Sequence, residues 1–179
     1  MTTGLYLSAT SPNSGKSLIA LGLADSLIKR ADRVGFFRPV FDGATIADDP
    51  VARLIREHFN LSEEQVGGAV SMNDALALIA EGDTEEISSR AVSAYEKVAA
   101  NSDVVIVDGV YLPANALAVE FDLNVQIARD LGLPVVAIVG AQEATVEEAV
   151  TAVDVARTEL TASKADLLAV IVNRAEPTL

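Results

Sequence analysis

An α/β fold is predicted for this chain: a parallel β-sheet with helices on both faces, giving three layers, α/β/α. Three observations predict it. Short β-branched runs alternate with longer segments of helical periodicity. Half of the residues are hydrophobic, chiefly Ala, Val, Leu and Ile, while aromatics make up 4%, a composition that suits strands buried on both faces. The 179 residues contain no repeat, low-complexity tract or linker, so residues 1–179 are read as a single domain.

The elements follow in order. Gly4-Leu5-Tyr6-Leu7-Ser8-Ala9 reads as a strand that runs into a polar loop at 10–17. Residues 17–29 place Leu18, Ile19, Leu21, Leu23, Ala24, Leu27 and Ile28 at helical spacing. Val34-Gly35-Phe36-Phe37 is a second strand, expected to stop or become an edge at Arg38-Pro39, because proline has no N–H for a ladder. Residues 42–50 read as irregular, 51–60 as a helix carrying the only histidine, His58, and 61–70 as loop. Asn73 is expected to cap a short helix to residue 80, and Asp83 or Thr84 a longer one over about 86–100. Asp103-Val104-Val105-Ile106-Val107 is the clearest strand and ends at Asp108-Gly109. A helix at 121–131, a strand at 134–139 closed by Gly140, a helix at 145–160 with acidic first turns at Glu147 and Glu148, and a strand at 167–172 complete the pattern. Crossovers are expected to be right-handed.

The net charge of −13 disfavours nucleic acid and anionic lipid as partners, since no basic patch offsets it. Its plainest consequence is solubility. The absence of Cys excludes disulfides and thiolate metal sites. Met1-Thr2-Thr3-Gly4 lacks the features of a secretory leader, and no apolar run approaches the ~18 residues of a membrane helix. A cytoplasmic location is therefore expected. The last strand lies so near Leu179 that the chain reads as an excised piece of a longer protein.

The chemistry lies in Thr10-Ser11-Pro12-Asn13-Ser14-Gly15-Lys16-Ser17. This is the phosphate-loop pattern G-x-x-x-x-G-K-[ST] with Thr10 in place of the first glycine, set between a strand and a helix as that motif requires. Thr10, Asn13, Ser14 and Gly15 would present backbone N–H groups to a polyphosphate at the positive end of the helix. Lys16 would bridge the β- and γ-phosphates, and the Ser17 hydroxyl would sit on Mg²⁺. The expected cofactors are ATP, or another nucleotide or polyphosphate, and Mg²⁺.

Further ligands are sought at the carboxyl ends of the strands, where parallel sheets carry their ligand crevice. Asp108 is the candidate Mg²⁺ carboxylate, its other reading being an Asp-Gly turn. Asp48 and Asp49 either add a metal ligand, with Asp49 preferred, or cap the helix at Val51. Arg38 either grips a phosphate or carboxylate or is a solvent-exposed residue at a strand end. Asn173 either reads an adenine edge through its amide or is a simple turn residue. His58, with no partner at metal-ligand spacing, reads as structural or surface.

The segment Ala9 to Ser17 resembles the phosphate loop of dethiobiotin synthetase, in which Thr also replaces the first glycine. Phe37-Arg38-Pro39-Val40 is similar to that family's Lys-Pro-Val segment, Val105-Ile106-Val107-Asp108-Gly109 to its Val-Val-Glu-Gly, and Val172-Asn173-Arg174 to the segment with its adenine-recognising Asn. A nearer resemblance is to the N-terminal phosphate-loop domain of long-form phosphate acetyltransferase. It is carried by the segment from Arg33 to Val40, by the helix and acidic turn from Asn73 to Asp83, and by Tyr95-Glu96-Lys97. That resemblance implies a regulatory domain without acetyltransferase activity of its own, a catalytic C-terminal domain as its partner in the same chain, and a homo-oligomer. The alternative it leaves is an ATP- and Mg²⁺-dependent ligase like dethiobiotin synthetase. Against that stand Arg38 for Lys, Asp108 for Glu, and Ser11-Pro12 for the family's Asp-Thr.

Overall fold

A computed structural model describes residues 3–176 of the chain, so Met1 and Thr2 of the leader reading, and Leu179, lie outside the described residues. The strands are β1 (Thr3–Ala9), β2 (Val34–Phe41), β3 (Val66–Ser71), β4 (Val104–Asp108), β5 (Val135–Gly140) and β6 (Leu167–Asn173). The helices are α1 (Lys16–Ile28), α2 (Pro50–Phe59), α3 (Met72–Glu81), α4 (Thr84–Ala100), α5 (Leu117–Asp130) and α6 (Val146–Ala162). Among the described residues the strands form one parallel sheet in the order β3-β2-β4-β1-β5-β6.

Two cores follow from the two-residue period of strand side chains. Leu7, Phe36, Ile106 and Ile138 pack on one face against Ala20 and Ala24 of α1 and Ala52 and Ile55 of α2. Their neighbours Tyr6, Phe37, Val105 and Val107 pack on the other against Ile87 and Ala91 of α4 and Leu123 and Ile127 of α5. Every residue of β2 and β4 is buried, as expected of central parallel strands. Each large side chain so buried contributes roughly 1.5–3 kcal/mol.

Four local expectations are corrected. Residues 66–70, read as part of a loop, belong to the edge strand β3, which runs to Ser71. Gly67-Gly68 hides it, because glycine carries no strand signal, and both positions are set by packing. A Cβ at Gly67 would lie 2.5 Å from Val98 Cγ2, and one at Gly68 would lie 2.6 Å from Phe41 Cδ1. Strand β2 does not stop at Arg38-Pro39 but continues to Phe41. Its pairing with β4 ends at Phe37, so at Pro39 it has a strand on one side only, where a missing N–H is tolerated. Helix α3 is capped by Ser71, whose hydroxyl accepts from Asp74 N at 3.2 Å, and not by Asn73. Helix α5 begins at Leu117, ahead of the expected residue 121. Of the two caps offered for α4, Asp83 and Thr84, it is Asp83 that accepts from the first turn, and Thr145, read as the first residue of α6, is its cap.

The topology brings the loop after β1, the ends of β2 and β4, and the end of β6 to one edge of the sheet. No helix is long and apolar enough to cross a membrane among the described residues.

Gly109, directly after β4, donates its N–H to Leu7 O at 3.0 Å. A Cβ there would lie 2.4 Å from that same carbonyl and 2.6 Å from Asn124 Oδ1. Because backbone cannot yield as a side chain can, Gly109→Ala is expected to cost about 1–3 kcal/mol or more, read as a lower urea midpoint at unchanged m-value.

Candidate functional site

The chain leaves β1 at Ala9 and enters α1 through Gly15, which adopts φ 82°. A side chain there would be strained by that φ, and its Cβ would meet Asn173 Nδ2 at 2.5 Å. Asn13, also left-handed at φ 58°, supplies the other sharp turn. No side chain caps α1, whereas Asp49, Ser71, Asp83 and Thr145 cap α2, α3, α4 and α6. The first-turn N–H groups and the positive end of α1 are thus left for a partner from outside the helix. They border a cavity of about 320 Å³ whose wall includes Asn13, Ser14, Gly15, Lys16, Ser17 and Arg38. A larger hollow of about 510 Å³ between α6 and β6 is lined mainly by Ala and Val, so the convergent polar groups lie in the smaller one.

Thr10 does not join that wall. Its N–H and its hydroxyl both donate to Ile138 O, at 3.0 and 3.3 Å, fastening the loop to β5. The threonine that replaces the usual glycine therefore points away from the cavity.

Behind the loop four charged side chains are buried together. Lys16 Nζ lies 2.5 Å from Asp108 Oδ1 and also donates to the Gly109 carbonyl. Asp108 is fully buried, and its Oδ2 faces Arg38 Nε at 3.5 Å. Neither of those two atoms has a hydrogen-bond partner. Arg38 donates through Nη1 to Asp49 Oδ2. Two cations and two carboxylates so placed balance in charge, which is what lets them lie out of water. Burial pushes the Lys16 ammonium below the ordinary lysine range, with the Asp108 carboxylate pulling the other way.

The metal-ligand reading of Asp49 is replaced by a different role. Its Oδ1 accepts from Val51 N at 3.0 Å and Ala52 N at 2.8 Å, and its Oδ2 from Asp42 N at 2.9 Å and from Arg38. Four donors fill the carboxylate's acceptor sites, so Asp49 caps α2 and holds Arg38. Asp48 caps the short turn beginning at Ile46 together with Thr45. Arg38 is buried, not a solvent-exposed end of a strand. Asn173 is neither a simple turn residue nor free to offer its whole amide to a base, since Nδ2 donates to Ser14 O at 2.8 Å. His58 is exposed on α2 and packs edge-on against Phe59.

Sequence reading passed over Asn124, buried on α5. It accepts from Tyr6 Oη and Val110 N, both at 2.8 Å, and donates to Val110 O and Glu120 O. An amide between Leu123 and Val125 in an apolar stretch was the available signal. One turn earlier Glu120 accepts from Leu112 N at 2.6 Å. Partial burial raises its carboxyl above the ordinary range, opposed by that hydrogen bond and by Lys16.

Asp49→Ala would leave Arg38 buried without its partner and α2 without its cap. The expected loss is about 3–5 kcal/mol by urea denaturation. Glu120 binds its proton more tightly folded than unfolded. Its contribution is therefore complete below the ordinary value of 4.5 and is lost as pH rises through its higher folded value. Wild type should lose stability relative to Glu120→Gln across that interval, measured as the difference in urea midpoint against pH.

Comparison with known proteins places the site in a family. The family model described as "AAA domain" matches residues 3–178. A phosphate acetyltransferase of Synechocystis sp. is 30% identical over 181 residues, which cover 100% of this chain and 26% of that protein. One of Nitratidesulfovibrio vulgaris is 31% identical over 180 residues, covering 99% of this chain and 26% of that protein. The chain thus spans about a quarter of the length of these relatives. Among solved structures, the signal recognition particle 54 kDa protein of Aeropyrum pernix, in complex with GDP, aligns with a TM-score of 0.57 at 16% identity, over 97% of this chain and 42% of that one. That similarity is one of fold. With its phosphate-loop sequence at the head of α1 and a match across nearly its whole length, the chain belongs to the AAA domain family.

Proposed function

We propose that this chain is the N-terminal nucleotide-binding, regulatory domain of a phosphate acetyltransferase, and that it holds ATP or another polyphosphate at residues 13–17. The observation that carries the reading is the uncapped N-terminus of α1 facing a cavity with Lys16 and Arg38 in its wall. In a chain of net charge −13, this is a local concentration of donors suited to an anion. The GDP complex of the fold neighbour is in keeping with a nucleotide. The acetyltransferase context rests on the relatives named phosphate acetyltransferase, which are about four times as long.

The residues fit Mg²⁺ in part. Ser17 stands in the cavity wall, and Asp108 Oδ2 is a buried acceptor with no donor, suited to a metal-bound water. No group of three or more His, Cys, Asp or Glu is placed to hold a metal among the described residues, so phosphate oxygens and waters would complete the shell. Mg²⁺ would supply charge neutralisation between phosphates. Lys16 can serve the phosphates only by exchanging its present acceptors, Asp108 Oδ1 and Gly109 O, for phosphate oxygens.

In this reading acetyl transfer belongs to a C-terminal domain of the same protein, the protein is cytoplasmic and homo-oligomeric, and neither nucleic acid nor membrane is a partner. Arg38 gives its Nη1 to Asp49 and so has a structural task within the fold, which favours binding over ligase chemistry. Calorimetric titration with Mg-ATP tests the proposal. Binding should weaken about tenfold to a hundredfold or more in Lys16→Ala, the worth of a hydrogen bond to a charged group. Ser17→Ala should weaken only the magnesium-dependent part. Equal heats from wild type and both variants would refute a working phosphate loop.

A further inference from the structure

We infer that Asn173 and Arg174, at the end of β6, are positioning residues that set the phosphate loop, and that Asn173 acts on the polyphosphate through the loop and not on a base. The inference rests on the polyphosphate reading above and names what holds that site in shape.

Four observations converge. Asn173 Nδ2 donates to Ser14 O at 2.8 Å. Arg174 Nη1 donates to Asn13 O at 2.8 Å. Asn173 also holds β5 to β6 next to the loop, since Ala141 N donates to its carbonyl at 2.8 Å and Gly140 is its register partner. Gly140 in turn lies so close that a Cβ there would stand 3.2 Å from Ser14 Cα.

The consequence follows from peptide geometry. In a planar trans peptide the carbonyl of one residue and the N–H of the next point in opposite directions. Fixing the Asn13 and Ser14 carbonyls toward β6 therefore turns the N–H groups of Ser14 and Gly15 away from β6, in a loop whose residues 13–15 line the cavity while Asn173 and Arg174 do not. The left-handed φ values of 58° at Asn13 and 62° at Arg174 mark the cost of this arrangement, since neither residue is glycine. Gly15 completes the fit, because any side chain there would strike the Asn173 amide. A base-reading asparagine would offer its whole amide to the ligand, yet here one of the two Nδ2 hydrogens belongs to the loop.

The test uses calorimetric titration of the protein with Mg-ATP and with magnesium tripolyphosphate, which has no base. If the pair positions the loop, Asn173→Ala weakens both ligands by the same factor, roughly tenfold, the worth of one hydrogen bond. Arg174→Met, which keeps the aliphatic stem and removes the donors, does likewise, while Arg174→Lys recovers part of the loss. Exchange of the Ser14 and Gly15 amides, followed by NMR without ligand, quickens in both variants at unchanged unfolding midpoint. Should Asn173→Ala not fold, Arg174→Met decides alone. Loss confined to Mg-ATP, with tripolyphosphate unaffected, would overturn the inference in favour of base reading, and no loss for either ligand would overturn it outright. Wild type that takes neither ligand would instead remove the polyphosphate reading, and this inference with it.

Discussion

The contact between the Lys16 ammonium and the Asp108 carboxylate is the constraint on which the rest of the site depends. Both groups lie in the protein interior, where an unpaired charge is costly, so each needs the other. That pairing ties the first residue of α1 to the last of β4, and through Arg38 and Asp49 it extends to β2 and the start of α2. Three successive elements, α1, β2 and α2, are thus fixed to the distant β4 by a charge-neutral cluster. The hydrophobic cores supply the bulk of the stability, but they leave the facing of the loop unspecified. The ion pairs and the loop's hydrogen bonds to β5 and β6 supply that.

The same cluster explains why the loop faces a cavity and is not closed over. Helix α1 has no capping side chain, and its ammonium is drawn back under the sheet edge, so the N–H groups and the helix dipole are the exposed features at the rim. The loop is held at its outer side by Thr10 on β5 and by Asn173 and Arg174 on β6. Positive charge is kept close beneath. Asp108 Oδ2 and Arg38 Nε, adjacent and without hydrogen bonds, are the part of the cluster with spare capacity. They can tighten on each other if Lys16 moves, which would soften the cost of drawing that lysine toward an anion.

Much of this was legible in the residues. Gly15-Lys16-Ser17 between an apolar strand and an apolar segment of helical spacing marked the loop, and the β-branched run 104–107 ending in Asp108-Gly109 marked the strand that brings a carboxylate beside it. The edge strand β3 was not legible, since Gly67 and Gly68 carry no β-propensity and are required only because Val98 and Phe41 press on them. Nor was the continuation of β2 through Pro39, which depends on where β4 stops. The role of Asp49 escaped a local reading as well. Position suggested a cap or a metal ligand, and only the approach of Arg38 from β2 fills its last acceptor site.

The sequence by itself determined the layered α/β class, the polarity of the charge, the phosphate loop and most element boundaries, because these rest on periodicity, composition and contacts between near neighbours in the chain. Tertiary structure decided which carboxylate meets Lys16, that Thr10 turns away, that Arg38 is buried against Asp49, and that Asn173 reaches Ser14. Those are pairings across as many as 159 residues. They arise from strand order and register, which bring the ends of β1, β2, β4 and β6 to one edge, and no local pattern encodes the distances between them.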